Sequence, residues 1–434
     1  MTQLKVLPDL TALVQDATFR QGVLRCVRCS ICVPQCPSYA VFRNEADSPR
    51  GRVQLMRASM EGRLKIDAAF EQHMDRCVGC RGCEDVCPSA VPFGHLIDRT
   101  REVLATTAPN RTRKRVVRMG LRLLGHTVLL LWLVRLLRVV QWLRLDRAAK
   151  AVVGLVSRKA AARLAKVPRV AGTPFDPRRI ESAAVPTVQL FSGCIMPAAL
   201  GTAQRASLQV LEQSGHAVAV PATQGCCGAL HQHAGEREAA AALARANIEA
   251  FGSGTEPISV SSAGCGLAMK EYGKLLADDP VWAARASAFA SRVRDLEELA
   301  VPQARPRSLR VVVQESCHHR NVQRIRGRAV PLLQQAGYVD STTLPIGSGC
   351  CGSGGIFGAL QPEAANQLRG TLLDSIEESG CDVVASSNPG CLMFIRAGLE
   401  ERGSHIKAQH LAELLTTVGA PPLPLAPKEP GSGE

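Results

Sequence analysis

The feature that most constrains this chain is a four-cysteine pattern that occurs twice between residues 26 and 88. Each copy has three cysteines spaced three residues apart and a fourth, four residues later, that is followed by proline. In two-cluster ferredoxins, three thiolates of such a run bind one 4Fe-4S cluster and the fourth binds the other cluster. The pattern therefore predicts two 4Fe-4S clusters whose fourth ligands are exchanged. The predicted ligands are Cys26, Cys29, Cys32 and Cys87 for the first cluster and Cys77, Cys80, Cys83 and Cys36 for the second.

Structural zinc is the alternative for grouped cysteines. Zinc sites are usually built from two separated Cys-x-x-Cys pairs, whereas here three cysteines stand at strict intervals of three. The chain holds 17 cysteines, an odd number, and its first ten residues lack the apolar region and cleavage site of a signal peptide. Metal ligation in a reducing cytoplasm fits these features better than disulfides in a secreted protein.

Composition and helix signals divide the 434 residues into five parts. Residues 1–110 are expected to form a helical two-cluster ferredoxin-like domain, in which Ser48 and Pro49 begin a helix that Gly62 ends. A basic, apolar helical segment and a proline-rich linker follow over residues 111–185. Residues 186–305 and 306–420 are two copies of an α/β unit, and residues 421–434 form a disordered tail. The predicted fold class is α+β and multidomain.

The α/β domain is internally duplicated. A single cysteine, a Cys-Cys-Gly motif and a further cysteine occur twice, with offsets of 123, 124, 124 and 126 residues. Offsets this constant indicate a repeat. Each landmark ends or follows a β-like run, and helical runs such as Arg237 to Phe251 and Glu363 to Glu378 alternate with these runs. This alternation predicts parallel sheets with the cysteines at the carboxyl ends of strands. The cysteines are Cys194, Cys226, Cys227 and Cys265, then Cys317, Cys350, Cys351 and Cys391.

Four thiols in each repeat match the ligand number of an ordinary metal site. The repeats are therefore candidates for an additional iron-sulfur cluster or another metal. His318 and His319 are candidate nitrogen ligands beside Cys317. Buried cysteines also serve as small hydrophobic residues, and this alternative stays open. Cys381 has no counterpart in the first repeat and is expected to be structural.

The net charge of +14 is concentrated between residues 111 and 150, where eleven basic residues stand against one acid, Asp146. Because aromatic residues make up only 4% of the chain and no recognised nucleic-acid-binding motif is present, no nucleic-acid partner is expected. The uninterrupted apolar run from Val128 to Val134 is too short to cross a bilayer. The basic residues are Arg111, Arg113, Lys114, Arg115, Arg118, Arg122, Arg135, Arg138, Arg144, Arg147 and Lys150.

Drawn as one continuous helix, this segment has an apolar middle at residues 129–134 and five arginines gathered in one sector. A helix of this kind binds a membrane surface by burying its apolar side while its arginines meet anionic headgroups. We therefore expect a cytoplasmic protein that is peripheral on the inner face of the cytoplasmic membrane. Packing between the domains or against a partner subunit is the alternative, which Arg135 and Arg138 on the opposite side favour. The gathered arginines are Arg115, Arg118, Arg122, Arg144 and Arg147.

The two ferredoxin motifs and the two Cys-Cys-Gly repeats together resemble the iron-sulfur subunit of bacterial glycolate oxidase over nearly the full length of the chain. Residues 111–185 match least. The resemblance also rests on several short motifs. These are Asp47-Ser-Pro-Arg50-Gly51-Arg52, Asp75-Arg76-Cys77, Gly225-Cys-Cys-Gly-Ala229, Ala246-Asn247-Ile248, Lys270-Glu271-Tyr272-Gly273, Cys350-Cys-Gly-Ser353 and Gly390-Cys391.

The resemblance implies a hetero-oligomer in which a separate FAD-carrying subunit oxidises a 2-hydroxy acid, glycolate to glyoxylate. By this resemblance, this chain accepts the electrons and passes them through its two 4Fe-4S clusters to a quinone or another membrane electron acceptor. No catalytic residue is assigned to this chain. No Gly-x-Gly-x-x-Gly motif follows a strand, so no flavin site is expected on this chain itself.

Related families provide the alternatives. One is the electron-transfer subunit of a lactate or glycerol-3-phosphate dehydrogenase, and the other is a thiol/disulfide redox enzyme like heterodisulfide reductase. That reductase has a fifth cysteine in each repeat, where this chain has Ala268 and Phe394. Disulfide reduction is therefore not favoured.

Overall fold

The structure is a computed structural model that describes residues 9–107, 111–143 and 173–416. The predicted tail at 421–434, the first part of the predicted linker and the expected domain end at residue 110 lie outside the described residues. The predicted fold class is confirmed, because a helical N-terminal part is followed by two units with parallel sheets.

The N-terminal part consists of helices packed around one hydrophobic core. Its third helix begins as predicted: Ser48 caps it by accepting a hydrogen bond from the backbone N–H of Gly51, and Pro49 is its first residue. The helices are α1 (Ala17–Leu24), α2 (Pro37–Phe42), α3 (Pro49–Met60), α4 (Ala68–Asp75), α5 (Gly82–Asp85) and α6 (Phe93–Thr107), with 3-10 turns at Thr11–Gln15 and Glu45–Asp47. The core is formed by buried side chains that include Phe19, Val53, Met56, Phe70, Met74, Leu96 and Ile97.

The basic segment forms two helices, α7 (Arg111–Gly125) and α8 (Thr127–Trp142). In the described part of the chain no single helix has both the length and the apolar character needed to cross a bilayer. Val117–Gly125 and Thr127–Gln141 pass that test only as a pair, and the chain bends by 97° between them. The prediction of one continuous helix is therefore wrong, because the backbone leaves the helical conformation at His126, directly after Gly125. Arg144 and Arg147 lie outside the described residues.

Each repeat contains a four-stranded parallel sheet. In the first repeat the strands are β1 (Val188–Phe191), β2 (Val218–Ala219), β3 (Ile258–Val260) and β4 (Val293–Asp295), in the order β2-β1-β3-β4. The second repeat has β5 (Val311–Val313), β6 (Ser341–Thr343), β7 (Val383–Ser386) and β8 (Lys407–His410), in the order β6-β5-β7-β8. The strand order is the same in both sheets, which confirms the predicted duplication.

Helices cover the sheets in both repeats, and the predicted helical runs at 237–251 and 363–378 are present. The first repeat has α9 (Ile195–Ala199), α10 (Gly201–Gln213), α11 (Ala229–His233), α12 (Arg237–Phe251), α13 (Ala263–Lys270), α14 (Tyr272–Leu275), α15 (Ala283–Arg292) and α16 (Leu296–Leu299). The second has α17 (Ala329–Gln335), α18 (Phe357–Leu360), α19 (Pro362–Glu378), α20 (Pro389–Glu401) and α21 (Leu411–Leu415), with a π-helical turn at His319–Gln323.

The two repeats share one hydrophobic core. Leu190 of β1, Val313 of β5 and Val383 of β7 are buried in the same group of side chains. Strands β1, β3, β5 and β7 are the four β-like runs of the sequence, and each ends shortly before a cysteine of the repeat. The shared core therefore holds the two sets of strand ends in a fixed relation to each other.

Candidate metal centres

Site I, as we name it, contains the first three cysteines of the first motif and the last cysteine of the second: Cys26, Cys29, Cys32 and Cys87. All four line one pocket, together with Cys83. The remaining wall is largely apolar, with Val53, Val91 and Phe93. Cys29 is exposed, so this pocket reaches the protein surface. The fold thus brings Cys87 to the first motif, while ligation by these four thiols stays a prediction.

Site II contains Cys36, Cys77, Cys80 and Cys83. Cys36 caps α2, because its Sγ accepts a hydrogen bond from the backbone N–H of Tyr39 at 3.4 Å. Burial raises the pKa of Cys36, Cys80 and Cys83, and repulsion between neighbouring thiolates of the site raises these pKa values further. Buried thiols whose charges repel one another need a cation between them to ionise together, and the iron of a cluster would supply it. The donors present therefore fit a 4Fe-4S cluster.

Both ferredoxin motifs use the same unusual backbone conformation. Arg28 and Ser30 in the first motif, and Gly79 and Arg81 in the second, have φ between 56° and 77°. This left-handed conformation costs a non-glycine residue roughly 1 kcal/mol or more, and it persists where the surrounding structure requires it. Here it wraps each short loop so that successive thiols face a common centre. The shared strain indicates that the two loops are shaped for ligands.

A buried network of charged groups supports Site II. The carboxylate of Asp47 accepts a hydrogen bond from Arg76 Nη1 at 2.9 Å, and it lies 2.9 Å from His73 Nδ1 and 3.6 Å from Arg52 Nη2. The backbone carbonyl of Asp47 lies 3.8 Å from the Cys36 thiol, which donates to it. Arg52 also lowers the pKa of Cys36, opposing the effect of burial. The network therefore sets a positive charge beside one thiol of Site II.

Arg50 lies at the rim of Site I, on α3, the helix that also carries Arg52. Its guanidinium donates to the hydroxyl of Ser30 and, at 3.3 Å, to the carbonyl of Arg28, and it pairs with Glu45 at 2.6 Å. Gly51 follows it, and a β-carbon there would lie 1.9 Å from the carbonyl oxygen of Glu45. Only glycine fits at that position, which explains the Arg-Gly-Arg motif in physical terms.

Site III is the thiol group of the first repeat, Cys194, Cys226, Cys227 and Cys265. The sulfurs of Cys194 and Cys226 are 3.5 Å apart. Hydrogen bonds from Cys194, Cys227 and the ring of His231 lower the pKa of Cys226 well below its ordinary value. The same contacts, together with burial, raise the pKa values of Cys194 and Cys227. A hydrogen bond with Cys265 also raises the pKa of Cys227. One thiolate stabilised by neighbouring thiols is a starting point for metal ligation.

Site IV is the corresponding group of the second repeat, Cys317, Cys350, Cys351 and Cys391. The sulfurs of Cys351 and Cys391 are 2.9 Å apart. Hydrogen bonds from Cys350 and Cys391 lower the pKa of Cys351, while burial raises the pKa of Cys317 to about 12. The fold therefore brings four thiols together in each repeat.

Two side chains hold the Cys-Cys-Gly loop of Site III. Asn247 Nδ2 donates to the carbonyl of Cys226 at 2.9 Å, and its Oδ1 accepts from the N–H of Gly225 at 2.9 Å. The hydroxyl of Tyr272 donates to the carbonyl of Cys227 at 2.9 Å. Sequence reasoning had no role for Asn247 or Tyr272. The available signal was their presence in the short motifs of the family resemblance.

Asn388 connects Sites III and IV. Its Nδ2 donates to the sulfur of Cys391 at 3.3 Å, and its Oδ1 accepts from the backbone N–H of Gly264 at 3.2 Å. Gly264 precedes Cys265 of Site III. One side chain therefore bridges the two thiol groups, and sequence patterns gave no indication of it.

The two candidate histidine ligands are engaged elsewhere. His318 Nε2 lies 3.1 Å from the carbonyl of Gly79. His319 Nε2 lies 2.8 Å from Asp295 and its Nδ1 3.6 Å from Glu297. Burial lowers the pKa of His319, but the Asp295 carboxylate more than offsets this effect, so that the pKa is raised to about 8. These contacts assign His318 to the domain boundary and His319 to a buried charge network between the repeats. Cys381 is buried in the core of the second repeat, as a structural cysteine would be.

Site II lies against Site IV across the boundary between the ferredoxin-like part and the second repeat. His318, next to Cys317, contacts the carbonyl of Gly79, and Asn321 Nδ2 donates to the carbonyl of Cys80 at 2.9 Å. Besides burial, the charge of the Cys317 thiolate raises the pKa of Cys80, so these two thiols are electrostatic neighbours. The four sites therefore form a continuous series in the order I, II, IV and III.

Comparison with known proteins gives two family matches and several relatives. Residues 22–91 match the 4Fe-4S dicluster domain, and residues 188–270 and 311–396 match the cysteine-rich domain. The probable glycolate oxidase iron-sulfur subunit of Bacillus subtilis (strain 168) is 32% identical over 419 residues, 91% of this chain and 93% of that protein. The glycolate oxidase iron-sulfur subunit of Escherichia coli (strain K12) is 30% identical over 384 residues, 85% of this chain and 89% of that protein.

A lactate utilization protein A from Exiguobacterium sp. (strain ATCC BAA-1283 / AT1b) matches less of the chain. It is 31% identical over 241 residues, which is 53% of this chain and 97% of that protein. The likeness to lactate proteins is therefore partial, whereas both glycolate oxidase subunits align with most of the chain.

Proposed function

Because this chain belongs to the family of glycolate oxidase iron-sulfur subunits, we propose that it accepts electrons from a separate FAD-carrying subunit and passes them to a quinone-linked acceptor. In this proposal the flavin subunit oxidises glycolate to glyoxylate. Clusters bound at the thiol sites supply one-electron redox chemistry. The observation that carries the proposal is the contiguous series of thiol sites. It gives electrons a route through the chain.

In this proposal electrons enter the chain at Site I. Site I reaches the surface at Cys29, so a flavin subunit can approach it without a change in the fold. Cys83 belongs to Site II and also lines the Site I pocket, which brings the first two sites together. From Site II the contacts of His318 and Asn321 lead to Site IV, and Asn388 leads on to Site III.

The thiol/disulfide alternative is disfavoured by the residues at the two fifth positions. Ala268 packs against the core of the first repeat. The ring of Phe394 lies against the Arg369 guanidinium, 4.7 Å from its central carbon, and packs beside Phe357 and Leu368. Both positions are thus occupied by side chains that pack against their own repeat. Lactate as the donor remains the second candidate, supported by relatives that match about half of this chain.

The test uses the full chain purified anaerobically with its flavin subunit. We expect about eight iron and eight sulfide per chain from the two ferredoxin sites, with any excess assigned to Sites III and IV. Rapid mixing with glycolate, lactate or glycerol 3-phosphate is followed by flavin absorbance and by electron paramagnetic resonance of the clusters. Zinc in place of iron, or flavin reduction with the clusters left oxidised, would contradict the proposal.

A matched pair of variants examines the repeats. Cys350→Ser should leave Sites I and II reducible and slow electron exit, since Site IV follows Site II. Cys381→Ser, in the same repeat but in the core, should leave both the reduction of Sites I and II and the rate of electron exit unchanged. If Cys350→Ser kept full metal content and full turnover, Site IV would have no part in electron transfer.

We also propose that the subunit works at the inner face of the cytoplasmic membrane, where a quinone is reached.

A further inference from the structure

The outer face of α8 is apolar and exposed. Six large hydrophobic side chains along one side of this helix are 41 to 61% exposed, whereas Leu131 on the opposite side is 1% exposed. We name these six residues the α8 stripe. They are Val128, Leu129, Trp132, Leu133, Leu136 and Val139. Contiguous apolar surface of this kind marks an interaction site on a protein.

The inner side of α8 is held by polar and apolar contacts with the first repeat. Arg135 Nη2 donates to the carboxylate of Asp176 at 3.0 Å. Helix α9, which follows Cys194 of Site III, also contacts α8. The orientation of the stripe is therefore fixed by the packing of α8 on the repeat. An amphipathic helix of a soluble protein turns its apolar side to the core, whereas α8 turns its apolar stripe outward.

Charge decides which occupant fits the stripe. The segment 111–150 carries eleven basic residues and one acid, and Arg122, one turn before the bend, is exposed. Basic residues beside an interfacial helix attract anionic lipids, each worth about 1 kcal/mol near the surface. A second copy of this chain would bring the same positive charge against it and be repelled. An anionic lipid surface supplies both an apolar layer for the stripe and negative charge for its flanks.

We propose that the α8 stripe docks this subunit on an anionic membrane by inserting into the headgroup and acyl boundary. This inference rests on the proposed function, because it places a quinone-linked acceptor within reach. Wide apolar side chains enter the boundary, and the exposed guanidinium of Arg122 lies among the headgroups. The helix lies in the plane of the membrane and does not cross it.

The docked orientation also selects the site from which electrons leave. The bend between α7 and α8 lies beside His231, whose Nε2 would be 4.0 Å from a β-carbon at Gly125. The His231 ring is also one of the groups that lower the pKa of Cys226 of Site III. Site III is therefore one side chain away from the hairpin that docks. Two electrons from the 2-hydroxy acid, delivered singly, and two protons from water convert a membrane quinone to its quinol at this side of the protein.

The experiment is flotation of the full chain with vesicles of phosphatidylcholine, with and without phosphatidylglycerol. We expect flotation on anionic vesicles that weakens as salt rises. The double variant Trp132→Glu, Leu136→Glu should bind at least about a hundredfold more weakly, roughly tenfold for each side chain withdrawn from the boundary. The control Val281→Glu, Val301→Glu changes two side chains that are 67% and 63% exposed outside the segment, and should float like the unmodified chain.

A second measurement separates docking from electron transfer. With the flavin subunit present, the stripe variant should reduce a soluble dye at the unmodified rate and lose reduction of a long-chain quinone embedded in the vesicles. No flotation at low salt would overturn docking, as would loss of the flavin subunit from the stripe variant, which would make the stripe a protein interface. If the unmodified complex floats but reduces no dye, the electron-transfer proposal fails while docking stands.

Discussion

Replacing Asp47 by asparagine should destabilise the ferredoxin-like part, because its carboxylate is the counter-charge of a buried arginine. The side chains of Asp47 and Arg52 are 0% and 1% exposed, and Arg52 Nη2 has Asp47 as its ion-pair partner at 3.6 Å. That nitrogen makes no hydrogen bond within the described part of the chain. The substitution therefore leaves a buried positive charge uncompensated.

The magnitude follows from the burial. Removing one partner of a buried ion pair costs about 3 to 5 kcal/mol, whereas an exposed pair is worth about 0 to 1 kcal/mol. Asparagine keeps one oxygen that can accept from Arg76, so we expect a loss near the lower value, about 3 kcal/mol. The matched control is Asp9→Asn, which removes a surface pair with Lys65, whose side chain is 45% exposed. Its loss should be about 1 kcal/mol or less.

The assay is anaerobic urea unfolding of the iron-loaded chain, read by circular dichroism and by cluster absorbance. Asp47→Asn should lower the unfolding midpoint and release the iron of Site II before that of Site I. Equal losses for Asp47→Asn and Asp9→Asn would refute the reasoning, since they would show that burial of the pair does not matter.

Three further changes test other parts of the structure. Cys36→Ala should remove the paramagnetic signal of the cluster assigned to Cys77 and preserve the other; loss of only the other would show that the fourth ligands are not exchanged. Tyr272→Phe removes the hydrogen bond to the carbonyl of Cys227. It should lower the metal content of Site III and reduce the free energy of unfolding by about 1 to 2 kcal/mol, while the iron content of Sites I and II stays unchanged. Burial raises the pKa of Asp98 from 3.8 to about 7, so its ionisation costs stability as pH rises through that window. Asp98→Asn should be neutral at pH 4 and stabilising above pH 7, by up to about 4 kcal/mol in chemical unfolding, and equal effects at both pH values would contradict it.

The sequence was most informative where a local pattern repeats. The spacing of cysteines in the two motifs matches the grouping seen in Sites I and II, because a short loop between ligands leaves the chain few ways to fold. The four strands that precede cysteines were predicted from their apolar runs. Strands β2, β4, β6 and β8 were missed because none of them has an apolar run: β2 is only two residues long, and β4, β6 and β8 are largely polar. Nothing in so short a polar stretch distinguishes a strand from a loop.

Long-range geometry was beyond the sequence. The contact of His318 with Gly79 joins residues 239 positions apart, and no periodicity reports such a pairing. The wheel drawn for the basic segment failed for a local reason, because it assumed a helix that continues through Gly125 and His126. Glycine is a weak helix former, and the 97° bend there changes which arginines share a face with the apolar middle.

The two repeats carry different residues at two equivalent positions, which follow the first cysteine of each repeat. With the offset of 123 residues, Ile195 corresponds to His318 and Ala198 to Asn321. In the second repeat these two polar side chains bond to the ferredoxin loop that carries Cys80, so in the proposed function this repeat is the one that receives electrons from Site II. In the first repeat the apolar residues belong to α9, which contacts α8 and hence the proposed membrane side. Two copies of one fold thus differ in what their equivalent surfaces contact, and in the proposed function that difference gives the series of sites a direction.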